Sequence, residues 1–471
     1  MPNPSLHVVI LAAGKGSRMR SELPKVLHKI ANKSLLEHVI NAALGVSPTR
    51  IHIVVGHGKE QVIETLAPHP YSNNFNWITQ TDQLGTGHAV MQALPSIDSN
   101  SNVLILTADV PLLQSSTLVS LVETLDTSPL AILTAIVEDP FGLGRIVRDD
   151  TDKVIDIVEE KDACEEEQEI QEINSGIMCA HVTQLGNWLS KINNNNAQQE
   201  YYLTDIAHLA FQTGNHIATL QAAHNDEVSG INDRAQLASA ERAYQRIQVE
   251  RLMNQGVTII DPARVDIRGD VTIGIDTILD INTVLEGPMS IGSNVYIGPN
   301  CVISASTIAD NVVVHPNTVI EHAEIASGVN VGPFARLRPG TKLSTNVKIG
   351  NFVETKNAQL SADTKVNHLS YVGDATVGSN TNIGAGVITC NYDGANKHQT
   401  KIGNDVFVGS DCQLIAPVDI ADGATIGAGS TITSDVNKNQ LAISRAKQKQ
   451  INDWQRPTKK NTSGKNPTKK K

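Results

Sequence analysis

Aliphatic residues recur at every sixth position in the second half of this chain, and that period constrains the fold more than any other feature. They stand at Ile273, Leu279, Leu285, Ile291, Ile297 and Ile303, and again at Ile402, Val408, Leu414, Ile420, Ile426 and Ile432. With about one residue in four aliphatic, one such run has a chance of roughly 1 in 4,000 per starting point, so two runs mark an internal repeat. Between them the register slips but persists through Ile308-Val314-Ile320, Ile325-Val331-Leu337-Leu343-Ile349, Leu360-Val366-Val372 and Val377-Ile383. A period of six is neither the helical 3.6 nor the strand alternation of two. It suits a coil of three short strands, about eighteen residues per turn, each sending one aliphatic side chain inward. Turn formers follow the inward position, as in Ile291-Gly292-Ser293-Asn294 and Ile402-Gly403-Asn404-Asp405, where Gly or Asn relieves the strain of a corner. Residues 390–400 interrupt the repeat and read as a loop leaving the coil.

The first half follows another pattern. Short aliphatic runs at 6–12, 51–55, 103–107, 130–137 and 154–158 alternate with longer helical patterns up to about residue 230, the mark of buried strands in an α/β sheet. Between 232 and 256, Leu237, Ala240, Tyr244, Ile247 and Met253 fall near helical spacing, with Asn232 or Asp233 as N-cap and Gly256 as the stop. The expected division is an α/β unit over 1–231, a connecting helix over 232–256, a coil over 257–436 and a C-terminal segment over 437–471. A length of 471 residues agrees, since domains run to roughly 150 residues. Only 3% of the residues are aromatic, so the interior must be aliphatic, as stacked layers are.

Charge and cysteine usage exclude several classes. The net charge is -11, and the last fifteen residues alone hold six Lys and no acid, leaving 32 basic against 49 acidic residues in the body. Such a body is no general nucleic-acid or polyanion binder, and the basic tail reads as a disordered, solvated segment. Five scattered cysteines without a CxxC pair argue against a disulfide framework or zinc knuckle. No run of eighteen apolar residues exists, and the run 8–13 has no basic residues before it, so neither a membrane span nor a signal segment is expected. A cytoplasmic protein acting on small molecules, with no membrane insertion, fits best.

At the end of the first strand stands Leu11-Ala12-Ala13-Gly14-Lys15-Gly16-Ser17-Arg18-Met19, followed by Pro24-Lys25. Glycines let backbone N–H groups approach phosphate oxygens, and Arg18 and Lys25 supply charge against a polyphosphate. A glycine turn after a strand is often only a tight connection. It is not a P-loop, because GxxxxGK[ST] is missing, and Met19 stands where a dinucleotide-binding GxGxxG needs its third glycine. Asp109 follows the strand at 103–107, where a carboxylate can hold Mg²⁺ between phosphates at the sheet's C-terminal edge, although alone it reads as a helix N-cap.

The segment from Leu11 to Lys25 resembles the sugar-nucleotide pyrophosphorylase signature L-A-A-G-x-G-[ST]-R-M followed by P-K. The resemblance implies catalytic roles for Arg18 and Lys25 and a nucleotide and sugar site at Leu11, Ala12, Ala13, Gly14, Lys25, Gln80, Gly85, Thr86, Thr107, Ala108, Asp109, Gly144, Glu159, Asn174 and Asn232. Gln83-Leu84 belong to the base-binding stretch, Gly144-Arg145 to a sugar-contacting strand, and Asp109 and Asn232 are the implied Mg²⁺ ligands. Thr107-Ala108-Asp109 departs from the family, which often has Gly before the Asp; Ala is small enough to keep the approach open.

Departures from the hexapeptide pattern gather on successive coils: Phe334-Ala335-Arg336-Leu337-Arg338-Pro339-Gly340, Asn351-Phe352-Val353-Glu354-Thr355-Lys356, His368-Leu369-Ser370-Tyr371 and Cys390-Asn391-Tyr392-Asp393-Gly394. Residues about eighteen apart can stack, so Arg338 and Lys356 form a pair of cations fit for a phosphate. A lone histidine is more often a solvent-facing residue, but near these groups His368 is placed to take a proton at neutral pH. The repeat resembles the left-handed parallel β-helix of hexapeptide proteins. From Leu11 to about Arg456 the whole chain is similar to the bifunctional N-acetylglucosamine-1-phosphate uridylyltransferase/glucosamine-1-phosphate acetyltransferase family.

That resemblance implies an α/β Rossmann-like nucleotidyltransferase domain followed by a left-handed β-helix, with UTP and acetyl-CoA as co-substrates and Mg²⁺ as cofactor. It makes His368 the general base, Arg338, Lys356, Tyr371, Asn382, Asn391 and Tyr392 the acetyltransferase substrate residues, and Ala385, Ser410, Ala428 and Arg445 the acetyl-CoA contacts. It also implies a homotrimer with that site shared between subunits, Arg445 acting on a neighbouring chain. Two other readings stay open from the residues alone: a single-activity nucleotidyltransferase whose coil serves only assembly or allostery, and a non-enzymatic regulatory protein. Uridine against thymidine is also left open.

Overall fold

The computed structural model describes residues 4–459, in two compact units that meet in sequence at Asp310 and Asn311. Of the expected tail, Pro457, Thr458 and Lys459 are exposed and without regular structure, and the rest lies outside the described residues.

The first unit is built on a twisted sheet of nine strands: β1 (Leu6–Ala12), β2 (Arg50–Val55), β3 (Phe75–Thr79), β4 (Asn102–Thr107), β5 (Leu130–Ile136), β6 (Arg145–Arg148), β7 (Val154–Val158), β8 (Glu172–His181) and β9 (Ile217–Gln221). Their order is β9-β5-β8-β4-β1-β2-β3, with β6 and β7 as a hairpin beside β8. Strands β1 to β4 run parallel, and β8 is antiparallel to both its neighbours. The central strands are buried on both faces, Val8 and Ile10 in one core and Val9 in the other, which is why they read as unbroken aliphatic runs. The four strands without such runs, β3, β6, β8 and β9, have half-exposed or polar positions, and β8 shifts register between Asn174 and Met178. From β1 the chain goes to β2 on one side and later to β4 on the other. The strand order therefore reverses at β1, and a crevice opens beyond the carboxyl ends of β1 and β4.

The connecting helix spans Arg234–Asn254, capped by the Asp233 side chain accepting from the Gln236 N–H and ended by Gly256 at φ +93°. Asp233 rather than Asn232 is the cap, which leaves Asn232 available to the site below. Compactness does not break where the repeat begins, because this helix clamps the first coils to the α/β part. Buried Gln245 bonds both the N–H (2.7 Å) and the C=O (2.9 Å) of Ile267, the Ala31 C=O accepts from the Gly269 N–H (2.9 Å), and Lys33 pairs with Asp270 (2.7 Å). Coils up to Asp310 thus belong to the first unit.

In both units the coils are parallel and stacked, a left-handed parallel β-helix of hexapeptide repeats. Partner residues lie seventeen or eighteen apart, as in Lys348↔Lys365 and Arg336↔Glu354. Of the twelve residues in the two perfect runs, eleven are buried and Ile273, on the first coil, is half-buried. The structure adds to the one-side-chain expectation: each strand sends two residues inward, the aliphatic one and another two positions earlier, such as Thr364 before Val366 and Thr381 before Ile383. These earlier residues are often Thr, Ser, Ala or Cys, so no hydrophobic period marks them. Their hydroxyls bond corner carbonyls, Thr364 to Gly378 and Thr381 to Gly403, both at 2.8 Å. The interruption at 390–400 is a small hairpin closed by Tyr392 and Lys397, and across it the coil offset grows to twenty-five, Thr376 pairing with Lys401.

All five cysteines are free, and among the described residues no helix is long and apolar enough to cross a membrane. Gln245→Leu removes both partners of the buried Ile267 amide groups, at about 1–3 kcal/mol for each stranded group. A calorimetric scan of the full chain is expected to show the lowest unfolding transition moving down by several degrees; an unchanged scan would count against the clamp.

Candidate functional site

The first site forms where the strand order reverses. After β1 the chain turns through Gly14 and Gly16 into a short turn, Ser17–Met19, pinned by fully buried Met19. Gly16 has φ +59°, and a Cβ there would fall 2.5 Å from the Lys25 Cβ, so only glycine lets the loop close on the lysine. Lys25 then donates from Nζ to Asp109 Oδ2 (2.5 Å) and to Asn232 Oδ1 (2.8 Å). Hydrogen bonds hold all three segments together: the Ala108 N–H donates to the Leu11 C=O (3.1 Å), the Ile231 N–H to the Asp109 C=O (2.9 Å), and the Gln114 N–H to the side-chain Oε1 of buried Glu227 (2.9 Å). Two oxygens from segments over a hundred residues apart thus converge on one cation.

Two cavities border this cluster. The first, about 510 Å³, is lined by Leu11, Ala12, Ala13, Gly14, Lys25, Gln80, Gly85, Thr86, Thr107, Ala108 and Asp109, eleven of the expected residues. Lys15 and Glu200 also line it, and Glu200 carries no local signal, since it arrives by a loop packed on Gly85 through the Tyr201 backbone. The second, about 680 Å³, is lined by Arg18, Asn174 and Asn232 among others, with Thr107 and Asp109 common to both. The Thr107 hydroxyl between them is buried and has no hydrogen-bond partner among the described residues.

Gly144 and Glu159 lie against each other, 3.6 Å separating a Cβ on the glycine from the Glu159 carboxylate, but neither lines either of these two cavities. Burial pushes the Glu159 carboxyl up against its hydrogen bond from Thr204, and burial with neighbouring Asp156, Glu159 and Asp162 raises Asp205 to about 6. Arg145, expected beside the sugar, is buried and ion-paired with Glu160 at 2.6 Å; it supports the β6–β7 hairpin instead.

The second site lies in the second unit. Arg338 pairs with Glu354 of the next coil (2.8 Å), a bond that raises the guanidinium above its ordinary value. Lys356, one coil above Arg338 in the same register, is faced by Lys397 within hydrogen-bonding reach, and that second ammonium pushes the Lys356 amine below its ordinary value. Three cations with one carboxylate among them make an anion-binding corner. Lys397 escaped the sequence reading because nothing local shows that the hairpin folds back over Lys356. Nearby, the Tyr371 hydroxyl lies against Gly373, Asn391 donates to Asp374 (2.5 Å), and exposed Tyr392 bonds the Gly394 C=O (2.7 Å).

His368 ends the strand Lys365–His368, exposed, with Nδ1 2.7 Å from Asn351 Oδ1. Asn382 sits half-buried on the next strand, in register with Lys365. Above His368 the same coil position is held by Ala385, Ser410 and Ala428, tied upward as the Gly386 N–H donates to the His368 C=O (3.4 Å), Asp411 to Ala385 (2.7 Å) and Gly429 to Ser410 (2.8 Å). Arg445 ends the column, donating to the Ala428 C=O of its own chain at 2.6 Å. The corner residues just after this column change character at the histidine: Phe334, Phe352 and Leu369 up to that level, then Gly386, Asp411 and Gly429. An apolar ridge thus gives way to an open track of small residues.

The fold and the two sites define a nucleotidyltransferase joined to a hexapeptide transferase. Residues 8–173 match the family of MobA-like NTP transferase domains, and residues 288–322 and 399–434 match the bacterial transferase hexapeptide (six repeats). The chain is 54% identical over 454 residues to the bifunctional protein GlmU of Marinobacter nauticus, covering 96% of this chain and 99% of that one. It is 52% identical over 456 residues to the bifunctional protein GlmU of Stutzerimonas stutzeri, covering 97% and 100%. It belongs to this bifunctional GlmU family.

Removing one ammonium should let the other recover. In Lys397→Ala the Lys356 amine is expected to titrate at higher pH than in the parent protein, followed by NMR of the lysine side chain, and saturating inorganic phosphate should have the same effect on the parent. An unmoved Lys356 in both experiments would show that the two cations do not face each other in solution.

Proposed function

We propose that the two sites carry successive steps of one synthesis, through the residues described above. As a member of the GlmU family the chain is a bifunctional enzyme with acetyltransferase and uridylyltransferase activities. Acetyl-CoA and glucosamine 1-phosphate give N-acetylglucosamine 1-phosphate and CoA; that product and UTP give UDP-N-acetylglucosamine and pyrophosphate. The product feeds cell-wall and envelope polysaccharide synthesis.

For uridylyl transfer, an oxygen of the sugar 1-phosphate attacks the α-phosphate of UTP and pyrophosphate leaves. Little covalent work falls to the protein; positioning and charge neutralisation dominate. Lys25 and Arg18 are the cations available to the phosphates, and no atom obstructs the approach to Gly14, where even a Cβ would meet nothing within 4 Å. The convergence of Asp109 and Asn232 on one ammonium carries this half of the reading. Two hard oxygen donors already gathered on a cation fit Mg²⁺, which takes one or two protein oxygens and leaves its other positions to phosphates and water. Bound there, the metal supplies charge neutralisation for the phosphates. Gln80, whose amide bonds the Gly85 C=O (3.1 Å) and His88 (3.0 Å), stiffens the wall we assign to the base, and the cavity bordered by Asn174 suits the sugar.

For acetyl transfer, the sugar amine attacks the thioester carbonyl, His368 accepts the amine proton and CoA leaves as the thiol. Arg338, Lys356 and Lys397 take the sugar phosphate, with Tyr371, Asn382, Asn391 and Tyr392 around the sugar. The open column through Ala385, Ser410 and Ala428 to Arg445 suits the extended pantetheine arm and supports acetyl-CoA lying there. We also read the enzyme as a cytoplasmic homotrimer with Mg²⁺ as cofactor, and the functional boundary as residue 256. Free cysteines favour the cytoplasmic reading; Arg445 bonding its own chain's Ala428 gives no support to its acting across subunits.

One incubation tests the reading: glucosamine 1-phosphate, acetyl-CoA, UTP and Mg²⁺, with thiol and pyrophosphate release followed separately. Asp109→Ala is expected to lose most pyrophosphate release while thiol release continues, and a chelator added to the parent enzyme should do the same. His368→Ala should lower thiol release by about 10²–10⁴-fold while supplied N-acetylglucosamine 1-phosphate is still converted. If either substitution abolished both signals in a folded protein, a single composite site would have to replace this reading.

A further inference from the structure

His368 and Asn351 occupy the same position on adjacent coils, in register across their strands. The Leu369 N–H ties the two corners by donating to the Asn351 C=O at 3.0 Å. Each is followed by a bulky residue in the left-handed region, Phe352 at φ +57° and Leu369 at φ +48°, where a large side chain persists only if its surroundings hold it. The backbone beneath both side chains is therefore fixed, and Nδ1 of His368 meets Oδ1 of Asn351 at 2.7 Å. A carboxamide oxygen only accepts, so the imidazole proton resides on Nδ1 and the lone pair on Nε2.

From this geometry we infer that Asn351 is a positioning residue for acetyl transfer: it selects the His368 tautomer whose Nε2 can take the amine proton, and it fixes the plane of the ring. The choice of an amide has a consequence. A carboxylate at the same distance would hold the tautomer equally well but would draw the imidazole toward its protonated form, which cannot act as a base. Asparagine orients without adding charge. The strands packed on either side of His368, Lys348–Asn351 and Asn382–Ile383, bring one charged side chain, Lys348. Its own strand brings Lys365, and Glu354 and Tyr371 open the strands beyond the two corners. The inference rests on His368 being the base of the reaction proposed above.

The test is a set of pH profiles of acetyl transfer by the full-length enzyme with glucosamine 1-phosphate and acetyl-CoA. Asn351→Ala is expected to lower kcat by about ten- to a hundredfold, part of the 10²–10⁴ worth of a positioned base, with both KM values changed by less than about threefold. Asn351→Asp keeps the shape and adds the charge, so the acid limb of kcat/KM should move up by about one pH unit or more, with rate recovered above it. Nitrogen NMR of the His368 ring should report one tautomer in the parent enzyme and a mixture in Asn351→Ala. Parent-like kcat in Asn351→Ala, or an acid limb that does not move in Asn351→Asp, overturns the inference. Full activity in His368→Ala would instead overturn the base assignment beneath it, a separate outcome.

Discussion

No coil of the β-helix satisfies its own backbone. Each strand's N–H and C=O groups pair with the coils before and after it, so position on one coil dictates what stands above and below. Stacking turns a linear offset of seventeen or eighteen residues into a vertical neighbour. Asn351, His368 and Ala385 become a column by that rule, Ser410 and Ala428 continue it across the twenty-five-residue offset of the inserted hairpin, and Arg338 comes beneath Lys356. The inward residues obey the same constraint, because every coil must fill the same narrow interior. Aliphatic side chains therefore alternate along each strand with Thr, Ser, Ala, Val or Cys, and the hydroxyls among them find corner carbonyls.

Chemistry sits where the repeat relaxes. A corner needs a left-handed residue, and Asn, Asp and Gly adopt that conformation at least cost; Phe334, Phe352 and Leu369 do not, yet they hold three successive corners. Phe334 and Phe352 stack at 5.4 Å, ending the open track at the level of His368. The inserted hairpin is the second departure. By adding seven residues to one coil it brings Lys397 against Lys356, a like-charge contact that is unfavourable until an anion lies between them.

The α/β part solves a related problem by other means. Its cation centre uses Lys25 as the counter-ion of Asp109 and as a hydrogen-bond donor to Asn232, so the two oxygens are held in place by a side chain that a phosphate can later engage. The loop carrying Asn232 is anchored by Asp233 capping the following helix and by buried Glu227 holding the Gln114 N–H. The same helix fastens the first coils through Gln245 and Ile267. One element therefore supports both the site and the start of the repeat.

The sequence by itself determined the repeat, its eighteen-residue turn, the central strands and the strand-end glycine loop, because each is written in local spacing: an aliphatic period, an unbroken buried run, a turn residue. Motif matching also singled out Lys25, Asp109 and Asn232, and the structure brings them onto one point. What spacing could not contain was direction. Arg145 stands on the strand that the motif assigns to the sugar, yet its side chain is in the interior beside Glu160, and the second inward row of the coil, mostly small or hydroxylated, has no hydrophobic signature. Glu200 at the cavity wall, Lys397 over Lys356 and Asn351 beneath His368 owe their places to loops folding back and coils stacking. Those pairings join residues far apart in the chain through backbone register, and only tertiary structure decides them.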